Sequence, residues 1–493
     1  MRILLTNLPR ESETKDYTTR EYLLSDFSRL LPLGLLAIAA NVNPKHSLKV
    51  LDVTVKNMSI EDTVRYIEDY KPDVLGLSVV TRRLYPMYVI SRRIKETLPD
   101  VKIVAGGPHI NYWPEETMRL GTLDYVLPSY GERTFPHFID ALENGGGELL
   151  KTVPNLYYRS SDGAIRSNPP DEIPIVLDSL PFPNRRLINL DDYFSAVDRA
   201  KMTTLYSSRG CPFHCIFCDV QEKQFHYRTA KSVADEFEEI TALGIREIYV
   251  LDDTFNINRQ RVLDICNELI SRNIKVRWST RARVAPFDAD MMSLMKKAGC
   301  TRLHVGVESL DPGLLKYMGK KETLEQIRSF FRLCRDFNME TLGYFIIGFP
   351  GETKEYRERF LKEVLKLNVT YAFCNILYPL AKTQYYKSLL DNTTFKEDYW
   401  ADFIRNPKKD FELPLPRSPE SQREMETLAD DFHRKFCFRP EFILRELRRS
   451  FRNPRMLLRK AKLAVLLIIR TSGEKRIGKR RLATRDLQAN GQS

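Results

Sequence analysis

The sequence predicts an α/β protein in three parts: an N-terminal doubly wound parallel sheet, a partial six-stranded parallel α/β barrel, and a helical C-terminal region with a basic tail. Three observations lead there. Short apolar runs alternate with amphipathic stretches over two separate parts of the chain, the rhythm of parallel strands covered by crossover helices. A proline-rich stretch of irregular pattern, with Pro169, Pro170, Pro174, Pro181 and Pro183, divides the two parts. The 493 residues, 43% of them hydrophobic, exceed what one ordinary core organises.

In the first part, residues 2–6, 48–53, 74–80, 102–105 and 125–127 read as strands, and 60–70 and 87–98 as helices. In such a sheet the ligand crevice lies beyond the carboxyl ends of the strands. Gly106-Gly107-Pro108-His109 falls at one of those ends. The adjacent glycines suit either close approach of a bulky ligand or a tight turn. The expected division is 1–145 for this sheet, 146–200 for a structured linker, 201–395 for the barrel and 396–493 for the C-terminal region. Strands of the barrel are expected at 205–208, 247–251, 275–279, 302–307, 341–348 and 372–378, with crossover helices such as 232–243 and 261–271. Chemistry in barrels of this type collects where strands end.

At the first of those ends stands Ser208-Arg209-Gly210-Cys211-Pro212-Phe213-His214-Cys215-Ile216-Phe217-Cys218. The spacing C-x-x-x-C-x-x-C offers an iron–sulfur cube three thiolates and withholds the fourth, which leaves one iron open to a small molecule. A zinc site would need a fourth ligand from His214, His226 or a distant cysteine, and its usual paired C-x-x-C spacings are absent. A disulfide framework does not suit a long chain with 8 cysteines. Cys266, Cys300, Cys334, Cys374 and Cys437 sit within helical or strand-like patterns and read as small buried apolar residues.

The cysteine run, with Phe217 just before its last ligand, resembles the signature of radical S-adenosylmethionine enzymes. The wider pattern of Gly76-Leu77-Ser78, Gly106-Gly107-Pro108-His109, Pro114-Glu115-Glu116 and Asp124-Tyr125-Val126 resembles the cobalamin-binding domain that precedes many such modules. The resemblance covers roughly residues 1–395. It implies a 4Fe-4S cluster on Cys211, Cys215 and Cys218, S-adenosylmethionine on the open iron, and cobalamin beside Ser78, Gly106, Gly107, Pro108 and His109. It also assigns Asp252 or Asp253 to the ammonium of S-adenosylmethionine, Arg283 to its carboxylate, and Glu308 and Ser309, in Gly306-Val307-Glu308-Ser309, to its ribose. The turn Gly348-Phe349-Pro350-Gly351-Glu352-Thr353 resembles one whose glycines admit the adenine.

The motif D-x-H-x-x-G, which supplies a histidine to cobalt, is absent, so cobalt is expected to lack that lower ligand. The usual acidic G-E-G-E segment reads Gly131-Glu132-Arg133-Thr134, and Pro379-Leu380-Ala381-Lys382-Thr383 replaces P-x-P-G-T. Plainer roles are open for several of these residues: a helix cap for an aspartate of the pair or for Ser309, and a surface position for Arg283.

The resemblance implies a cobalamin-dependent methyltransferase acting on an unactivated carbon of a small molecule, a lipid or a tetrapyrrole. A cyclase or rearrangement enzyme with the same radical start is the first alternative. A non-catalytic metal-binding protein that docks through its basic tail is the second. The formal net charge of +12 is concentrated after Arg434, as in Arg445, Arg448, Arg449 and Arg452. Such a surface attracts anionic lipid or acidic proteins, and nucleic acid is the less expected partner. Residues 456–482 combine this charge with a short apolar run and suit either a membrane surface or a helix packed on the barrel. A flavodoxin or ferredoxin is the expected electron donor. The short apolar run at the N-terminus is unlike a secretory leader, so the cytoplasm, or the inner face of its membrane, is the expected location.

Overall fold

A computed structural model describes residues 1–12, 29–171, 174–195, 200–450 and 458. The segment 456–482 considered for a membrane surface therefore lies, apart from Leu458, outside the described residues. Strands β1 (Arg2–Thr6), β2 (Ser47–Leu51), β3 (Val74–Ser78), β4 (Lys102–Gly106), β5 (Tyr125–Val126), β6 (Tyr157–Arg159) and β7 (Ile165–Ser167) form one sheet in the order β2-β1-β3-β4-β5-β6-β7. The first five are parallel, and β6 and β7 add antiparallel. All five strands expected here are present within a few residues.

The β6–β7 hairpin lies in the stretch expected to be irregular. Its three-residue strands are too short for a periodic signal. The turn between them is set by Asp162, which accepts from the Ala164 amide, and by Gly163 at φ +82°.

Apolar residues on both faces of the parallel strands explain why helices cover them. Leu35, Leu36, Phe135, Phe138 and Ile139 pack with Ile3, Leu5, Val74 and Val104 in one core. Tyr193 of the linker joins that core and donates to buried Asp52 at 2.9 Å. Ser59 and Asp62 form a capping box that starts the helix Ile60–Tyr70.

Strands β8 (Met202–Leu205), β11 (Glu247–Val250), β12 (Arg277–Ala282), β13 (Cys300–Glu308), β14 (Glu340–Ile347) and β15 (Tyr371–Ile376) form the second sheet, ordered β15-β14-β13-β12-β11-β8. Between β8 and β11 lies a separate antiparallel pair, β9 (Ser208–Arg209) and β10 (His226–Tyr227). The six expected strands are all found, but the first starts and ends three residues earlier than expected. The amides of Ser207 and Ser208 are bound by a carboxylate, as described below, and are withdrawn from the ladder.

Chain packing divides the molecule into two compact units. One comprises 1–281, 293–301 and 378–416; the other comprises 282–292, 302–377 and the chain from 417 on. In the first unit, Arg185 of the linker is buried against Glu236 and also donates to Thr203 Oγ1 at 3.1 Å and the Thr204 carbonyl at 2.7 Å. Arg228 holds the second Glu236 oxygen. This buried triad was not legible in the sequence, because Arg185 lies 51 residues from Glu236.

In the second unit, helices Pro419–Cys437 and Pro440–Ser450 follow the barrel segment. Several arginines of the basic stretch turn inward here: Arg439 donates to the Val369 carbonyl, Arg445 to that of Thr370, and Arg449 pairs with Glu340. They anchor this C-terminal stretch to the starts of β14 and β15, so this part of the charge is not a free surface. Among the described residues no helix is long and apolar enough to cross a membrane.

Candidate active site

The cysteine loop is built from its two ends. Asp252, just beyond β11, is fully buried and accepts from the amide and hydroxyl of both Ser207 and Ser208 at 2.6–2.9 Å. Arg261 lies 3.5 Å from the same carboxylate and donates to the Ser207 carbonyl. Four donors on two oxygens leave Asp252 no capacity for a ligand. Its assignment to the ammonium of S-adenosylmethionine is therefore corrected: it clamps the entrance of the loop.

Asp253 is half-buried, with its carboxyl raised above the ordinary range by burial, while the charge of Arg281 and the Gly210 amide pull the other way. It is the member of the pair that retains an available carboxylate. Neither caps the next helix, which Asn258 does by accepting from the Arg261 amide.

After β9, Gly210 adopts φ +84°, and a Cβ there would stand 1.9 Å from the Gln224 carbonyl oxygen. The Cys211 amide donates to the Glu222 carbonyl at 2.9 Å, and the Cys218 amide to that of Cys215 at 3.1 Å. All three cysteines are half-buried and none is in a disulfide. Burial pushes the Cys218 thiol up to about 11, a cost that a coordinated cation reverses by holding the thiolate.

Among the described residues, the one set of side chains converging within 4.8 Å as ligands of a single ion is His46, Asp140 and Glu143. Three cysteines on one loop suit a cube, whose thiolates sit on separate irons, better than one zinc ion, which needs a fourth ligand.

In the N-terminal layer, Ser78 ends β3 and is partly exposed. Gly107 has φ +99°, and a Cβ there would meet the Val79 backbone at 2.9 Å. Close packing against β3 thus requires this glycine irrespective of any ligand. Pro108 opens the helix Pro108–Tyr112.

His109 is completely buried, its Nδ1 3.2 Å from Thr81 Oγ1 and its Nε2 3.1 Å from Thr117 Oγ1. Desolvation pushes its pKa down to about 3. With both nitrogens occupied and the ring enclosed, His109 supports the loop from behind and does not contact a cofactor, which corrects its expected role. Glu132, in the segment that departs from the acidic pattern, is buried and accepts from Arg209 of the cluster loop.

The second unit holds Arg283, Glu308 and Ser309. Arg283 is buried, donates to the Lys320 carbonyl, and has Nε 3.1 Å from Glu322 Oε1. Lys320 Nζ lies 3.7 Å from Glu308 and 3.5 Å from Glu322. Both Glu322 oxygens are buried without a hydrogen bond. Two cations and two carboxylates thus meet at ion-pair distance with hydrogen-bonding capacity left over, an arrangement able to take a polar ligand group. Sequence reasoning missed Lys320 and Glu322, whose signal was only a charged Lys-Lys-Glu run.

Glu308 follows a register shift in β13 and has φ +65°, and burial raises its carboxyl. Ser309 shares a hydrogen bond with Tyr356 Oη at 2.9 Å, and the helix near Pro312 is capped by Asp311 in its place. The space over Gly348, expected to admit adenine, is filled by Arg417: a Cβ would come within 2.5 Å of its Nη1.

These features define a loop of three cysteines fit to hold an open iron–sulfur centre. A family model described as the radical SAM superfamily matches residues 205–364, and one described as the B12 binding domain matches 23–139. An uncharacterised methyltransferase of Pyrococcus horikoshii is 33% identical over 76% of this chain and 81% of its own length. The anaerobic magnesium-protoporphyrin IX monomethyl ester cyclase of Rubrivivax gelatinosus is 26% identical over 63% of this chain and 57% of its own. The solved structure of the radical S-adenosylmethionine methyltransferase TsrM from Kitasatospora setae, with cobalamin and a [4Fe-4S] cluster bound, superposes with TM-score 0.60 at 19% identity, covering 79% of this chain and 75% of that one. The chain belongs to the B12-binding radical S-adenosylmethionine family. Its cofactors are a 4Fe-4S cluster, S-adenosylmethionine and cobalamin.

Proposed function

We propose that the enzyme moves a methyl group from S-adenosylmethionine to an unactivated carbon of a small molecule, a lipid or a tetrapyrrole. The observation that carries this reading is the presence, in one compact unit, of a three-thiolate loop and a B12-binding layer. When bound, the cluster delivers an electron to the sulfonium and cobalamin carries the methyl group.

The chain's own part is placement. Cys211, Cys215 and Cys218 hold the cluster, and Asp253, with its available carboxylate, takes the ammonium of S-adenosylmethionine. Motif position assigns Arg283 to a carboxylate and Glu308 to ribose hydroxyls, with Lys320 and Glu322 as their charged neighbours. Ser309, fully buried and bonded to Tyr356 and the Asp311 amide, supports the turn instead of a ribose. Ser78, Gly106, Gly107 and Pro108 form the cobalamin-facing rim. A flavodoxin or ferredoxin in the cytoplasm supplies the electron.

The test is anaerobic reconstitution with iron and sulfide, then incubation with hydroxocobalamin, S-adenosylmethionine, a strong reductant and extracts of lipid or pigment. S-adenosylhomocysteine together with 5′-deoxyadenosine is the expected product pair. 5′-Deoxyadenosine alone would favour a cyclase, a reading that the likeness to the Rubrivivax enzyme keeps in view. Failure to cleave S-adenosylmethionine would refute both. Comparing metabolites of cells with and without the gene would identify the substrate by its missing methyl group.

A further inference from the structure

The ligand-bearing stretch 211–218 contains neither helix nor strand, so its position depends on what grips its ends. The N-terminal layer grips both. Upstream, Arg209 donates to Glu132 and lays its guanidinium over Tyr130, 5.4 Å from the ring centre. Downstream, Tyr112 Oη donates at 2.7 Å to the carbonyl of Asp219, the residue that follows Cys218. Two residues on, Gln221 Nε2 donates at 2.8 Å to the Pro108 carbonyl. Tyr130 Oη donates to Glu222 Oε2 at 3.2 Å, and the Glu222 carbonyl is the acceptor for the Cys211 amide.

Two of these contacts come from Pro108–Tyr112, the short helix that follows Gly107. The helix has little freedom to move independently of its sheet, because the His109 amide donates to the Val79 carbonyl and the His109 ring is enclosed. A shift imposed on this helix would therefore reach the Asp219 carbonyl through one phenol hydrogen bond. From the other side the stretch has a tether of different origin, the Tyr385 amide donating to the Ile216 carbonyl at 2.8 Å.

We propose that Tyr112 is a positioning residue that joins the Gly107 loop and the cluster loop into one mechanical body, so that filling the B12-binding layer tightens the protein's hold on the cluster. The cobalamin half of this inference rests on the function proposed above. Both loops lie in the same compact unit, and the link needs no movement between units.

The test measures the rate at which a chelator, bathophenanthroline disulfonate, strips iron from the anaerobically reconstituted full chain, with and without hydroxocobalamin. Tyr112→Phe removes one hydroxyl and keeps the ring. It is expected to lose iron about fivefold faster than wild type, the factor that one ordinary hydrogen bond is worth. Tyr88→Phe, in the helix Leu84–Thr97, is expected to behave as wild type. Hydroxocobalamin should slow iron loss in wild type and slow it less in Tyr112→Phe, where the Gln221–Pro108 link from the same helix remains. The reduced cluster's electron paramagnetic resonance signal should shift with cobalamin more in wild type than in Tyr112→Phe.

Equal iron-loss rates in wild type and Tyr112→Phe would overturn the proposal, as would an equal cobalamin effect in both. Should wild type fail to retain hydroxocobalamin through gel filtration, the cobalamin reading falls, while the comparison of rates without it still decides the role of Tyr112.

Discussion

Gly210 offers a direct way to break the cluster site without touching a ligand. At φ +84° it occupies a region where an L residue is disfavoured by about 1–2 kcal/mol. A methyl group there would also stand 1.9 Å from the Gln224 carbonyl oxygen and 2.9 Å from Glu222 Cγ. The first of these atoms is backbone and cannot turn aside, and forcing a methyl into such a place costs about 1–3 kcal/mol more. Gly210→Ala should therefore destabilise the closed loop by about 2–5 kcal/mol, with the Cys211–Glu222 hydrogen bond the first to go. At 1.4 kcal/mol per decade that is at least a roughly thirtyfold fall in loops poised to bind iron.

The assay is iron and sulfide per chain after anaerobic reconstitution, with thermal unfolding recorded in parallel. Gly121→Ala is the control, because Gly121 has φ +75° but open space around its Cα. It should lower stability by about 1 kcal/mol and leave iron content unchanged. If Gly210→Ala binds iron as wild type does, or if Gly121→Ala loses iron equally, the steric argument is wrong.

Other outcomes follow from buried charge and hydrogen bonding. Glu236→Ala leaves Arg185 and Arg228 without their shared carboxylate in a buried place and should cost about 3–5 kcal/mol in denaturant unfolding; a loss under 1 kcal/mol would contradict the burial argument. Asp252→Asn should reduce iron retention, whereas Asp253→Asn should keep iron and weaken S-adenosylmethionine binding; the reverse pattern would exchange their roles. His109 is held neutral, its folded pKa depressed to about 3 against an ordinary value near 6.5, so the unfolded chain takes up a proton that the folded chain refuses as pH falls. Its contribution is present above pH 6.5 and is lost below it, and wild type should lose about 1 kcal/mol more than His109→Gln between pH 7 and 5.5. Equal losses in the two proteins would show that His109 is not buried neutral.

What could be read from the chain alone was what is local in it. Strand and helix positions follow from apolar periodicity over a few residues, and the cysteine spacing is set within one loop, so both were legible without knowing what packs where. Contacts between distant residues decided the rest. Asp252 and Asp253 are neighbours with the same chemistry, yet one is saturated by two serines some 45 residues away and the other retains an available carboxylate. His109 carries the side chain of a ligand, and only the closeness of Thr81 and Thr117 turns it into a buried support. Lys320 and Glu322 acquire meaning only through Arg283 and Glu308. A carboxylate or imidazole has no fixed role in itself, because burial and the count of donors around it determine what capacity remains, and those are properties of the folded chain.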